Sequence, residues 1–175
     1  MSQKKVPGLA AGLVVAVLAV PAAAEETHGV ANATFPEKGV MAAGQPTGEQ
    51  LQVLAEEGYK TVIDLRPPEE PRGYAEVEAA KANGLTYVNI PVTVQTLDQA
   101  TIDRFVAAMD EAEKPVLLHC ASSNRVGALW YAYLVEKGMA PEEAMKKGRA
   151  AGLKTPELAQ RIEALVAERQ AKPKK

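Results

Sequence analysis

Short apolar runs alternate with amphipathic stretches along most of this chain, and this alternation constrains the fold more than any other feature. The runs at 61–65, 85–92 and 115–119 have the length and composition of buried strands. Stretches with helical periodicity lie between them, and Gly58 and Gly84 end the first two. Consecutive strand-helix-strand units predict an α/β fold with three layers, in which helices flank a mainly parallel central sheet.

Residues that are typical of helix starts and helix ends predict further helices. Two helices open with capping-box spacing, at Thr47 and at Thr96. From residue 126 onward the chain is predicted to be helical, over 126–137, over 141–151 and from residue 155. Residues 25–38 are interpreted as a polar lead, and no strand is assigned before residue 61.

The N-terminal segment is typical of a secretory signal peptide over residues 1–24. Two lysines precede an apolar stretch, and three alanines form a small-residue cleavage site before Glu25. The pattern predicts a periplasmic or secreted protein with no stable membrane anchor after cleavage. An uncleaved anchor is the alternative, which the cleavage pattern disfavours. One domain over residues 25–170 is expected, followed by a disordered basic tail over 171–175.

Charge and cysteine content restrict the partners. Without residues 1–24 the chain carries 18 basic and 22 acidic residues, a net charge of −4, which argues against nucleic acid as a partner. A single cysteine cannot form an internal disulfide, so in an oxidising compartment its thiol is either shielded or used. His28 and His119 lie far apart in the sequence, and neither a metal nor a cofactor is predicted.

That single cysteine, Cys120, directly follows the predicted strand 115–119. A polar loop and Arg125 come next, and then a helix begins. A helix N-terminus and a nearby cation both favour a thiolate, and loop N–H groups with an arginine form a pocket for a tetrahedral anion. The sequence therefore predicts a nucleophile, with an inert buried cysteine as the disfavoured alternative.

The end of a second predicted strand is expected at the same edge of the sheet as Cys120. In parallel sheets, ligands bind at the carboxyl ends of the strands, and Arg66 lies just past the strand over 61–65. We expect Arg66 to add positive potential to the cleft. Pairing with a structural acid is the alternative.

These residues resemble a known group. The sequence His119-Cys120 with Arg125 downstream resembles the phosphate-binding loop of cysteine-dependent phosphatases and of rhodanese-type sulfurtransferases. Three further motifs occur in the order of bacterial phosphatase-like domains, which also occur fused to beta-lactamase-like hydrolases: 44–47, 61–66 and 90–92. The resemblance covers residues 35–152 and implies a tyrosine-phosphatase-like fold.

The resemblance also implies roles. Cys120 would attack phosphorus and form a phosphocysteine intermediate, and Arg125 would grip two nonbridging oxygens as a bidentate fork. His119 would order the loop and help to hold the thiolate, with a satisfied buried histidine as the alternative. The implied substrate is a phosphorylated small molecule or a phosphoprotein. The substrate oxygens would be held by the N–H groups of Ala121, Ser122, Ser123, Asn124 and Arg125.

The general acid is the least defined part of the predicted site. Asp98 is the nearest candidate after residues 90–92, but a place in the first turn of a capped helix is its favoured interpretation. Glu69 and Glu70, in an exposed loop, are the alternatives.

Three departures from the phosphatase pattern keep other functions open. Four residues separate Cys120 from Arg125, the length of a rhodanese loop, so a sulfurtransferase with a persulfide on Cys120 is one alternative. Ser123 stands where such loops carry glycine, at a position that often needs a positive φ. Val126 replaces a hydroxyl residue that stabilises the departing thiolate, a role open to Ser122 or Ser123. A non-catalytic module that binds phosphate or other anions is the third hypothesis.

Overall fold

The structure is a computed structural model, which describes residues 26–171. The predicted signal peptide over 1–24 and residues 172–175 of the predicted tail lie outside the described residues. Within residues 26–171, five strands form one sheet: β1 (Thr34–Glu37), β2 (Val40–Ala43), β3 (Thr61–Asp64), β4 (Thr86–Asn89) and β5 (Val116–His119). Six helices of this described part accompany them: α1 (Gly48–Glu56), α2 (Glu76–Ala82), α3 (Gln99–Glu111), α4 (Asn124–Glu136), α5 (Pro141–Ala150) and α6 (Pro156–Ala171).

The strand order in the sheet is β1-β2-β5-β3-β4, and only the β1-β2 pair is antiparallel. Helices cover both faces. Because side chains alternate along a strand, Leu117 of β5 packs with α1 and α2 on one face, whereas Leu118 packs with α3, α4, α5 and α6 on the other. The predicted three-layer, mainly parallel α/β fold is confirmed.

The hairpin of β1 and β2 was not predicted: β1 lies within residues 25–38, whose interpretation as a polar lead is wrong there, and β2 follows directly after them. Pro36 interrupts β1 and two alanines fill half of β2, so neither segment has the β-branched composition of a typical strand. Their extended conformation depends on pairing, because β2 lies beside the central strand β5 and Gly39 turns the chain with a φ of 78°. Strand formation here is set by tertiary contacts.

The helix that follows the cysteine is fixed by a close approach to α5. A Cβ atom at Gly127 of α4 would lie 2.3 Å from the carbonyl oxygen of Gly148 in α5 and 2.3 Å from the backbone nitrogen of Leu153. We expect Gly127→Ala to destabilise the protein by about 3 kcal/mol, because both obstructing atoms belong to the backbone and cannot rotate away. Thermal unfolding followed by circular dichroism measures this as a melting temperature lower by roughly 10 °C. An unchanged melting temperature would contradict the packing.

Parallel strands bring their carboxyl ends to one edge of the sheet. Asp64 at the end of β3 lies opposite His119 at the end of β5 in the strand register. The residues that follow these two strands, including Arg66 and Cys120, therefore share one rim, as predicted for a ligand site in this kind of sheet. None of the helices within residues 26–171 has the length and apolar character needed to cross a membrane.

Candidate active site

The loop that begins at Cys120 is held against the end of β2. Cys120 is buried, and its N–H donates to the carbonyl oxygen of Ala43 at 3.3 Å. The N–H of Gln45 donates to the carbonyl oxygen of Ala121 at 3.3 Å, and Gly44 forms a bridge with Ser122. The first residues of the loop are thus anchored by backbone hydrogen bonds, which fixes where their remaining N–H groups point.

Ser123 adopts the left-handed conformation expected for this position, with a φ of 66°. Its hydroxyl is buried and donates to the carbonyl oxygen of Ala151 at 2.7 Å, an interaction that offsets part of the conformational cost. The Ser123 side chain packs against the backbone of Gly152, where a Cβ atom would lie only 2.6 Å from the Ser123 Cβ, so a larger residue does not fit at position 152. Because this hydroxyl is committed to Ala151, the exposed Ser122 is the better candidate to assist a departing thiolate.

Asn124, the first residue of α4, ties the loop to the start of α6. Its Oδ1 accepts hydrogen bonds from the backbone nitrogens of Lys154 at 2.7 Å and Thr155 at 3.2 Å. Its Nδ2 donates to the Thr155 hydroxyl at 2.9 Å. The side chain is therefore structural, and any contribution of Asn124 to anion binding comes from its backbone.

Arg125 projects back toward the cysteine and is held by a carboxylate from another loop. Its Nη1 and Nη2 donate to Glu70 Oε2 at 2.8 Å and Oε1 at 2.9 Å, and Nη1 also donates to the carbonyl oxygen of Val92 at 3.2 Å. Burial alone would lower the pKa of Arg125, but the hydrogen bonds and charges of Glu70 and Cys120 raise it overall. The guanidinium group thus lies close enough to the Cys120 sulfur to interact with it.

These contacts leave one edge of the guanidinium available. A guanidinium has five N–H donors, of which Glu70 and Val92 take both on Nη1 and one on Nη2. The Nε–H and the second Nη2–H of Arg125 have no oxygen partner within the described part of the chain. These two parallel donors have the geometry that binds two oxygens of a phosphate.

Glu70 lies between two arginines. Besides its pair with Arg125, its Oε1 accepts from the Nε of Arg66 at 3.0 Å. Hydrogen bonding to Arg125 is the main cause that holds the pKa of Glu70 below its ordinary value, against an opposing effect of burial. Glu70 is thus a carboxylate at neutral pH and has no proton to give a leaving group. The geometry favours a positioning role for Glu70 rather than the predicted alternative as general acid.

Arg66 is almost completely buried, with 2% of its surface exposed. In addition to Glu70, it donates to the backbone carbonyls of Glu70 and Pro71. It therefore holds the loop that presents Glu70 to Arg125. This corresponds to the structural alternative considered for Arg66, and its influence on the cleft is transmitted through Glu70.

Asp98 is the N-cap of α3 and engages its carboxylate locally. Its Oδ1 accepts from the N–H of Thr101 at 2.8 Å and from the Thr101 hydroxyl at 2.7 Å, and these bonds lower the pKa of Asp98. The predicted cap at Thr96 is wrong, because the Thr96 hydroxyl instead accepts from the N–H of Thr93 at 2.9 Å. Asp98 is therefore the N-cap itself and not a first-turn residue as the sequence favoured, and its carboxylate is engaged in stabilising the helix start. Glu69 is exposed.

His119 is completely buried in a group of charged residues that the sequence did not indicate. Its Nε2 lies 2.9 Å from Glu76 Oε1 and 3.9 Å from Asp64 Oδ1. The side chains of His119, Asp64 and Glu76 lie close enough together to ligate one metal ion. However, Arg72 already pairs with the carboxylates of Asp64 and Glu76. The group is therefore an ion-pair network. An acid in the first turn of a helix is ordinary, so nothing in the sequence marks Glu76.

A cavity of about 460 Å³ opens beside Arg125. The loop after β4, over 92–95, forms one wall, and the start of α6 forms the other with Thr155, Glu157 and Leu158. The lining combines apolar and uncharged polar side chains with the charged side chains of Arg125 and Glu157. It offers space for the body of a substrate whose anionic group is bound at Arg125.

Comparisons with known proteins agree with this arrangement. A family model described as a DSP-PTPase phosphatase fused to NAD+ kinase matches residues 18–165. A beta-lactamase hydrolase-like protein of Xylella fastidiosa is 33% identical over 115 residues, which make up 63% of this chain and 27% of that protein. The match thus spans about a quarter of the length of this relative.

Solved structures show the same fold. A DUF442 protein of Shewanella putrefaciens CN-32 that carries the name of a phosphatase aligns with a TM-score of 0.65 at 24% identity, over 80% of this chain and 94% of that one. TpbA of P. aeruginosa, crystallised in complex with pTyr, aligns with a TM-score of 0.62 at 18% identity, over 77% and 82% of the two chains. Together with the match over residues 18–165, these findings confirm the predicted resemblance: the chain belongs to the family described as DSP-PTPase phosphatase fused to NAD+ kinase and has a protein-tyrosine-phosphatase-like fold.

Proposed function

We propose that this protein is an exported cysteine-dependent phosphatase that hydrolyses a phosphomonoester through a phosphocysteine intermediate. The observation that carries the proposal is that Glu70 and Val92 leave the Nε and Nη2 edge of Arg125 unused, while Arg125 interacts with the Cys120 sulfur. A phosphate bound to this edge brings its phosphorus close to the nucleophile. The substrate is a phosphorylated small molecule or a phosphoprotein, whose body occupies the cavity between the loop after β4 and the start of α6.

The chemistry proceeds in two displacements. In the first, the Cys120 thiolate forms a bond to phosphorus as the bond to the leaving oxygen breaks, and that oxygen takes up a proton. In the second, water attacks phosphorus and gives up a proton to solvent as the phosphorus-sulfur bond breaks, which releases inorganic phosphate and regenerates the thiolate. Arg125 and the loop N–H groups stabilise the negative charge on the nonbridging oxygens in both steps.

The role of Glu70 can be tested without altering the nucleophile. We expect Glu70→Gln to lower kcat/KM for an aryl phosphate by about tenfold, because Arg125 loses the charged partner that fixes its orientation. Glu69→Gln is the matched control, since Glu69 is the exposed neighbour, and its kinetics should stay unchanged. An increase of kcat/KM in Glu70→Gln would show that Glu70 competes with the substrate instead of positioning Arg125.

A sulfurtransferase is the second candidate, because four residues separate Cys120 from Arg125. Phosphate release from an aryl phosphate and sulfur transfer from thiosulfate should be assayed on one preparation. The proposal requires phosphate release without a persulfide on Cys120. A persulfide without phosphate release would favour the sulfurtransferase, and a melting temperature raised by phosphate without either turnover would indicate an anion-binding module.

Export has a separate test. The N-terminus of protein recovered from the periplasm or medium of an expressing bacterium should begin near Glu25, after the pattern of small residues at 22–24. An intact N-terminus on membrane-bound protein would instead support the uncleaved anchor.

A further inference from the structure

A group of largely buried charged side chains includes His119, the residue that precedes Cys120. This buried charge cluster consists of Asp64, Arg72, Glu76 and His119. The Nε2 of His119 lies 2.9 Å from Glu76 Oε1, an ion-pair contact rather than a well-aligned hydrogen bond. Arg72 pairs with Asp64 at 2.6 Å and with Glu76 at 3.3 Å. The side chains of Asp64, Glu76 and His119 are completely shielded from solvent.

The charges in this cluster balance when His119 carries a proton. Two carboxylates then face two cations, which is the arrangement that a buried site tolerates best. Burial alone would raise the pKa of Glu76, but its interactions with His119, Gln45 and Arg72 hold it below the ordinary value. Two tyrosines complete the surroundings: Tyr87 of β4 donates to Asp64 Oδ2 at 2.7 Å, and Tyr74 lies near Glu76.

Besides its contact with His119, Glu76 is linked to the cysteine loop through Gln45. Its Oε2 accepts a hydrogen bond from the Nε2 of Gln45 at 3.2 Å. The backbone N–H of the same glutamine donates to the carbonyl oxygen of Ala121 at 3.3 Å. His119 and Ala121 are the two residues that flank Cys120 in the chain. One buried carboxylate is therefore linked to the backbone on both sides of the nucleophile.

We propose that Glu76 is a positioning residue that braces the nucleophile loop from both sides, through His119 before Cys120 and through Gln45 to Ala121 after it. Glu76 holds the imidazole of His119 in its orientation, and the backbone of Gln45 holds the carbonyl of Ala121, the first residue after Cys120. The effect on turnover rests on the proposed function. The effect on the reactivity of the Cys120 sulfur does not.

The test measures this reactivity directly. The rate at which iodoacetamide alkylates Cys120 should be followed by mass spectrometry over a pH series from mildly acidic to alkaline, in the wild type and in Glu76→Gln. We expect alkylation of the variant to be slower by about tenfold in mild acid, because the loop N–H groups that favour a thiolate are no longer held in place, and equal in alkali, where a thiolate forms without that support. With an aryl phosphate, kcat should fall while KM changes little.

Matched variants separate bracing from general damage. Glu78→Gln changes an exposed glutamate of the same helix and should leave alkylation and turnover unchanged. In a His119→Asn background, Glu76→Gln should have a smaller further effect, since part of its action runs through that histidine. Should Glu76→Gln fail to fold, Gln45→Ala can be used instead, because it removes only the hydrogen bond between Gln45 and Glu76. It should slow alkylation in mild acid by less than the tenfold expected for Glu76→Gln.

Three results would overturn the proposal. The first is an alkylation profile in Glu76→Gln that matches the wild type at every pH, and the second is faster alkylation in mild acid, which would mean that the Glu76 charge opposes the thiolate. The third is an unchanged profile in Gln45→Ala when Glu76→Gln cannot be prepared. Loss of turnover with unchanged alkylation would contradict bracing as well. Changed alkylation in a protein that releases no phosphate would instead contradict the proposed function and leave the bracing intact.

Discussion

Replacing Cys120 by serine is expected to lower the turnover of an aryl phosphate by at least about 10,000-fold. The hydroxyl is nearly isosteric with the thiol, so the buried loop should keep its shape, but it does not ionise in this setting and is a far weaker nucleophile. Stopped assays of phosphate release over long incubations would measure the residual rate.

Binding separates this loss of chemistry from a loss of structure. The donors that hold the anion belong to Arg125 and to the loop backbone, so Cys120→Ser should still be stabilised by inorganic phosphate in thermal unfolding. Retention of full turnover by Cys120→Ser would remove the nucleophile from the mechanism. Loss of both turnover and phosphate binding would show that the serine variant is misfolded, and Cys120→Ala should then be used in the same pair of assays.

Replacing Arg125 by lysine should cost about 100-fold to 1,000-fold in kcat/KM. Lysine keeps the positive charge but cannot form a fork, so it cannot engage both Glu70 oxygens and two phosphate oxygens together. Steady-state kinetics with an aryl phosphate would give the value. The control is Arg104→Lys, at an exposed arginine of α3, which should leave kcat/KM unchanged.

An Arg125→Lys variant with nearly normal kinetics would show that charge alone suffices at this position. The two-donor edge of the guanidinium would then have no part in the reaction, and the orienting contacts from Glu70 and Val92 would be structural only.

The sequence predicts a nucleophile at Cys120 because the residues around that cysteine form a local pattern. A buried strand, a cysteine, a polar loop and an arginine form a contiguous pattern, and the parallel sheet places that pattern at its rim. The positive φ at Ser123 was foreseeable for the same reason, since the loop geometry demands it regardless of distant contacts. Features encoded within about ten residues of the cysteine were therefore predictable.

Features that depend on distant partners were not. The strand β2 exists because β5 pairs with it, although its own composition does not favour an extended conformation. Glu70 is 55 residues from Arg125 in the chain, and its pairing with that arginine follows from the course of the loop after β3. Glu76 is likewise unremarkable as an acid at the start of a helix, and only its burial beside His119 reveals a role.

The central claim is that the Cys120 sulfur forms a bond to phosphorus while Arg125 holds the phosphate. Rapid acid quenching of the enzyme during turnover of an aryl phosphate, followed by peptide mass spectrometry, tests this claim most directly. We predict a phosphate group on the peptide that contains Cys120 in the wild type and an unmodified peptide in Cys120→Ser. Phosphate attached to a different residue would contradict the claim. The Ser122→Ala variant, in which the second step should be slower, should be quenched in the same way. Absence of a modified peptide from that variant during turnover would also contradict the claim.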